Sequence, residues 1–228
     1  SQQASLFGDS MGLVEEPVIR IKGEIPQRER LRREKEVLGF YVSENPLDEY
    51  RQLLPFVTTH QLGELGARDE ETYIRLAGII LNLQRRVSKK GESYARFNLE
   101  DQTGRMEMLV FPSAYRTNLA QLQDDQPVIV EGYYDTRDDQ PKLAVRRILP
   151  LPQELSQLHV RINDNGTNGD VRERLLQILM RFPGELDVVI YPPGRKPLLL
   201  SERWKIKPDL ALKQELAALY GKNCVWFN

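Results

Sequence analysis

Tyr94 and Arg96 lie on one alternating run, Arg105 on the next, and Lys142 and Arg146 on a later one; Arg85, Arg86, Lys89 and Lys90 come just before them. Guanidinium and ammonium groups attract phosphates, and an open ring offers a face on which a base stacks, so this grouping has the chemistry of single-strand nucleic-acid contact. Glu107, Glu131, Asp138 and Asp139 lie among the same cations and dilute their field. Without a fold to hold it, such a charge run reads more readily as a solvated face. A second grouping, Gln3-Ala4-Ser5-Leu6-Phe7, offers an amide to orient and two apolar side chains to bury, as short anchors on tethers do. Residue types alone favour the plainer reading, in which Leu6 and Phe7 pack on a neighbouring helix.

Other chemistries find little material. The one cysteine, Cys224, and the two histidines, His60 and His159, cannot supply a disulfide framework or a zinc set of the usual spacing, so no metal and no cofactor is expected. Glu100-Asp101 reads as turn chemistry rather than as a pair for magnesium, and no Ser-His-Asp or Cys-His set is credible, so no catalytic residue is expected. With 40% hydrophobic and 29% charged residues and a net charge of −1, the chain reads as a folded, near-neutral protein. No whole-molecule field draws it to nucleic acid, and a local patch must do so. The absence of a leader and of any apolar run near 18 residues points away from export and membranes, and the cysteine count suits a reducing cytoplasm. A start at Ser1 without methionine suggests a piece of something longer.

The groups above need elements to hold them. Residues 1–27, broken by glycines and prolines, read as a tether. Residues 28–71 read as a helical linker: an amphipathic helix over 28–42, a break at Asn45-Pro46, and a second short helix from Leu47 to Leu54 that Pro55 closes. Residues 72–152 hold five strands. The first is Tyr73 to Val87, with Gly78 as a bending point. The second and third flank a turn at Asp101 to Gly104, with Ala95, Phe97, Leu99, Met106, Met108 and Val110 inward and Tyr94, Arg96 and Asn98 outward. A helix from Ser113 to Gln121 precedes Pro127 to Tyr134 and Pro141 to Ile148. Five strands with a helix after the third is the order of an OB-fold barrel, and Arg85, Arg86, Lys89 and Lys90 then fall in a long first loop where such barrels grip a backbone. Residues 153–228 alternate as β-α-β-β-α-β, the ferredoxin-like split unit, with Leu198 to Ile206 as its third strand and Val225-Trp226-Phe227 as a core strand. The fold class is α+β, mainly β.

Gln3-Ala4-Ser5-Leu6-Phe7, then Glu36-Val37-Leu38-Gly39-Phe40-Tyr41-Val42-Ser43-Glu44-Asn45-Pro46-Leu47, then a barrel and a small last domain, resemble the C-terminal third of the bacterial replicative DNA polymerase III alpha family. The resemblance implies that Gln3, Leu6 and Phe7 are an internal sliding-clamp motif, reversing the plainer reading. It implies that the barrel holds single-stranded template DNA and that the last domain meets the clamp-loader tau subunit. The polymerase and phosphoesterase parts would lie upstream. Glu44-Asn45-Pro46-Leu47 departs from the commoner Gly-His-Pro-Leu, which removes a role for that histidine but keeps the helix break. Two further readings are an anticodon-binding region of an aminoacyl-tRNA synthetase, for which the seventy residues after the barrel are too few, and a pure protein-interaction module.

Overall fold

Five runs whose apolar residues recur at every second position close into a barrel with strand order β1-β2-β3-β5-β4: β1 (Tyr73–Val87), β2 (Ser93–Glu100), β3 (Arg105–Val110), β4 (Pro127–Asp135) and β5 (Lys142–Pro150). The chain divides into units Ser1–Val42 and Ser43–Asn228. The computed structural model describes residues 45–66, 69, 72–136, 141–162 and 169–228 of the second. Gln3, Leu6, Phe7, the helix expected over 28–42 and the 137–140 turn lie outside the described residues.

Ile74, Leu76, Ile80, Phe97, Leu99, Met108, Val130 and Leu143 fill the barrel, and Phe97 is 2% exposed. Each such side chain contributes roughly 1.5–3 kcal/mol of burial, which sets inside and outside for every other residue on its strand. β1 pairs with β4 from Tyr73 to Ile79 and with β2 from Ile79 to Val87, so the partner changes just after Gly78. A Cβ at Gly78 would come within 2.8 Å of the Glu100 carbonyl oxygen, so the close approach of β2 requires glycine there. Two bulges interrupt the alternation. One lies between Leu81 and Gln84, where Asn82 has φ of 56°; the other lies opposite Glu131 and Gly132.

The β2–β3 turn closes as the sequence predicts. Asp101 Oδ1 accepts from Thr103 N at 2.7 Å and Gly104 N at 3.0 Å, and Asp101 Oδ2 accepts from Leu62 N at 2.8 Å, tying the linker to the hairpin. Helix α2 (Pro112–Asn118), extended by a 3-10 turn over Leu119–Gln121, joins β3 to β4. In the linker the expected Leu47–Leu54 helix is only a 3-10 turn, Asp48–Tyr50, and Pro55 does not close a helix. It opens α1 (Leu54–Val57), because proline's missing N–H costs nothing in a first turn.

The last domain follows the expected order: β6 (Gln157–Arg161), α3 (Gly169–Met180), β7 (Pro183–Tyr191), β8 (Leu198–Leu199), α4 (Leu210–Tyr220) and β9 (Val225–Phe227). Its sheet is not the split ferredoxin-like one. β6 pairs directly and in parallel with β7, and the order is β8-β7-β6-β9. A split unit would insert the third strand between the first two. Here that strand is two residues long, because a 3-10 turn at Glu202–Trp204 breaks the run expected to reach Ile206. β8 pairs with β7 alone at the sheet edge, with Leu198 and Leu199 54% and 57% exposed. Val225, Trp226 and Phe227 are buried, as expected of a core strand. Phe56 of α1 meets Phe227 edge-on at 5.3 Å, and Lys213 Nζ donates to the Pro55 carbonyl at 2.6 Å, so α1 ties the sheet to the barrel.

Candidate nucleic-acid interface

Strand parity places Tyr94, Arg96, Asn98, Glu107 and Leu109 on the outer face of β2 and β3, opposite the buried Ala95, Phe97, Leu99, Met106, Met108 and Val110. Tyr94 sits beside Arg86 on β1, and Arg96 beside Gln84 and Leu109. Phe111, 48% exposed, directly follows Val110, the partner of Ala95, and so lies at the end of β3 nearest Tyr94. Sequence reasoning passed over this second ring; its odd position after an even run of inward residues was the signal.

The cations here are engaged. Arg96 Nε donates to Glu107 Oε1 at 2.9 Å and Arg105 Nε to Glu100 Oε2 at 2.8 Å, both pairs being partly exposed. Pairs of this kind are worth about 0–1 kcal/mol, so an arriving phosphate can displace the carboxylate at little cost. The expected long first loop is a tight turn: Arg85 and Arg86 lie inside β1, and only residues 88–92 turn. Ser88 Oγ accepts from Lys90 N and Glu92 N, and Gly91 takes φ of 80°, which leaves Lys89 and Lys90 exposed at the tip. Arg85 donates to the Leu122 carbonyl at 2.5 Å, whereas Arg86 donates to Gln84 Oε1 at 2.7 Å. Lys142 lies beside Glu107 on β5. Arg146 stands apart from Tyr94, over the Tyr133 ring at 5.5 Å.

A second constellation, also missed, lies where β1 and β4 meet the last domain. Arg75, 5% exposed, donates from Nε to the Val57 carbonyl at 2.7 Å, from Nη1 to Glu131 Oε1 at 2.5 Å and from Nη2 to Asn228 Oδ1 at 3.0 Å. The Asn228 amide donates to His159 Nε2 at 2.7 Å, which leaves His159 Nδ1 as the donor to the Tyr191 hydroxyl at 3.0 Å. Burial, with Arg75 as the second cause, pushes His159 down to about 4. Burial and then Glu131, which accepts from the Tyr73 hydroxyl at 3.1 Å, push Tyr73 up to about 12. Arg161 lies between two rings, 5.4 Å from Tyr73 and 5.3 Å from Trp226. A cleft of about 100 Å³ is lined by Tyr73, Arg75, Glu131, Arg161, Tyr191 and Trp226. No group of three or more His, Cys, Asp or Glu side chains able to hold a metal forms among the described residues. None of their helices is long and apolar enough to cross a membrane.

The OB-fold nucleic acid binding domain family matches residues 74–151, which is the barrel. Along the whole chain, the DNA polymerase III alpha subunit of Pseudomonas fluorescens is 30% identical over 241 residues, covering 99% of this chain and 20% of that protein. The same subunit of Mycobacterium tuberculosis is 31% identical over 239 residues, covering 98% and 20%. A crystal structure of a small single-stranded DNA-binding protein from Streptomyces coelicolor superposes on 37% of this chain and 98% of its own, with 16% identity and a TM-score of 0.32. The relationship therefore rests on the sequence matches. They run from end to end of the chain, and by them it belongs to the DNA polymerase III alpha subunit family, spanning about a fifth of the length of these relatives.

Proposed function

We propose that this region holds single-stranded DNA on the outer face of β2 and β3 and leaves polymerisation to parts of the polymerase that it does not span. The observation that carries this reading is the setting of Tyr94: an outward ring on a nucleic-acid-binding barrel, with Arg86 and Arg96 beside it and the Lys89–Lys90 turn above. A base stacks on the ring and its phosphates exchange with the weakly held carboxylates. Specificity for sequence is not expected, because stacking accepts every base. Fluorescence anisotropy of the chain with labelled oligothymidylate tests it. Binding that weakens with salt, and weakens further in Tyr94→Ala and Lys89→Gln/Lys90→Gln, is the expected result. No affinity for single strands, or a preference for structured RNA, overturns it.

Docking to a sliding clamp through Gln3, Leu6 and Phe7 is part of the same reading and is supported by the family match and by the residue types. Surface plasmon resonance on immobilised clamp should lose its signal in Leu6→Ala/Phe7→Ala; undiminished affinity removes the tether. The last domain is the proposed contact for the clamp-loader tau subunit, and a cytoplasmic location follows from replication as the setting.

A further inference from the structure

The β5 alternation is broken at one place. Leu143 and Val145 point into the barrel, yet the next inward residue is Ile148, three positions on. The bulge that absorbs the extra residue sets Glu131 opposite Arg147 and Gly132 opposite Val145, which leaves Arg146 without a partner in the ladder. Two consecutive side chains then lie on the same outer face: Arg146 over Tyr133, and Arg147 3.5 Å from Glu131 Oε2. A regular strand would have sent one of them inward. Arg147 is 61% exposed, Tyr133 42%, and Arg146 is exposed as well.

Glu131 is the carboxylate that pairs with Arg147, and its Oε1 is taken by buried Arg75 and its Oε2 by Tyr73. Arg146 and Arg161 have no carboxylate partner among the described residues and rest on rings. The cross-strand register links this face to the first one. Arg96 pairs with Leu109, Leu109 with Ala144, Ala144 with Tyr133 and Tyr133 with Tyr73, one row around the outside of the barrel. Tyr133 is three strand spacings of about 4.8 Å from Arg96, a distance a single strand spans in a few nucleotides.

We propose that the outer face of β4 and β5 is a second nucleic-acid contact, taking a phosphate between Arg146 and Arg147 and a base on Tyr133, reached from the β2–β3 face across Leu109 and Ala144. It rests on the single-strand reading above and extends the path toward the last domain. Guanidinium forks suit phosphate oxygens, and an exposed ring beside them suits a base.

The test is anisotropy of the full chain with oligothymidylates of about 3 and about 20 nucleotides, which fall below and above the roughly 4–16 that one such barrel occupies. Arg146→Gln/Arg147→Gln should weaken the long probe about tenfold, reduce its salt slope by about 0.7 (one phosphate), and leave the short probe unchanged. Tyr94→Ala/Arg96→Gln should weaken both. Loss only in the latter variant overturns the second contact and leaves the first; equal loss on both probes in the arginine variant puts those residues in the first site and overturns it too. No binding by the unmutated chain overturns both. Photocrosslinking of the unmutated chain to 5-iodouracil oligonucleotides needs no variant to fold. A crosslink at Tyr133 with the long probe is expected, and its absence sinks the proposal.

Discussion

The β2–β3 face and the junction of the barrel with the last domain hold their arginines by different means. On the first, Arg96 and Arg105 meet carboxylates of neighbouring strands in water. At the second, Arg146 and Arg161 rest on Tyr133, Tyr73 and Trp226, while Arg75 is sealed against Glu131. An exposed pair is worth about 0–1 kcal/mol and exchanges readily, whereas breaking a buried one costs about 3–5 kcal/mol. The first region is thus built to let go of its own partners, and the second to keep them. Arg146 and Arg147 of the second are exposed and so available to a ligand.

The largest expected effect breaks the sealed pair. Arg75→Ala strands the Glu131 carboxylate, 5% exposed, and should destabilise the chain by about 3–5 kcal/mol in urea denaturation. If the midpoint moves as little as it would for Arg105→Ala, the contrast between the regions fails. Acid should act at the same junction. The unfolded chain takes up a proton on His159 near pH 6.5, and the folded chain refuses it until about 4. Its folded pKa lies below the unfolded one, so stability falls as the pH drops through that window, by up to about 3 kcal/mol. His159→Gln should flatten this limb, read from urea midpoints at several pH values.

On the other face, Asp101→Ala removes the acceptor for the turn and for Leu62 N, at about 2 kcal/mol of thermal stability, with the junction's pH dependence untouched. The smallest effect is the most telling for function. Glu107→Gln releases Arg96 and should raise single-strand affinity about two- to fivefold, under about 1 kcal/mol, with stability nearly unchanged. Unchanged affinity would mean that Arg96 makes no phosphate contact.

Much of the barrel was legible because its signal is local. Inward residues at every second position drew β1 to β5 close to their observed bounds, and Asp101 to Gly104 announced the hairpin. The paired cations Arg96 and Arg105 were visible as residue types but not as engaged groups, since their carboxylates lie on the partner strand. The three-residue step from Val145 to Ile148 was readable as a bulge and passed over, and with it the shared face of Arg146 and Arg147. Arg75 reads as an outward surface residue by alternation, yet it is among the most buried charges, because another domain covers that face.

By itself the sequence determined the strands, their inward sides, the turn and the order of elements in the last domain, since each depends on neighbours within a few residues. The tertiary structure decided the rest: that β6 lies beside β7, that Arg85 reaches the Leu122 carbonyl, that Arg75 and His159 are sealed at a junction, and that Arg146 and Arg147 share a face. These depend on which strand lies next to which and on what covers an outer surface. Such pairings join residues far apart in the chain, as Arg75 and Asn228 are joined, and a local period carries no record of them.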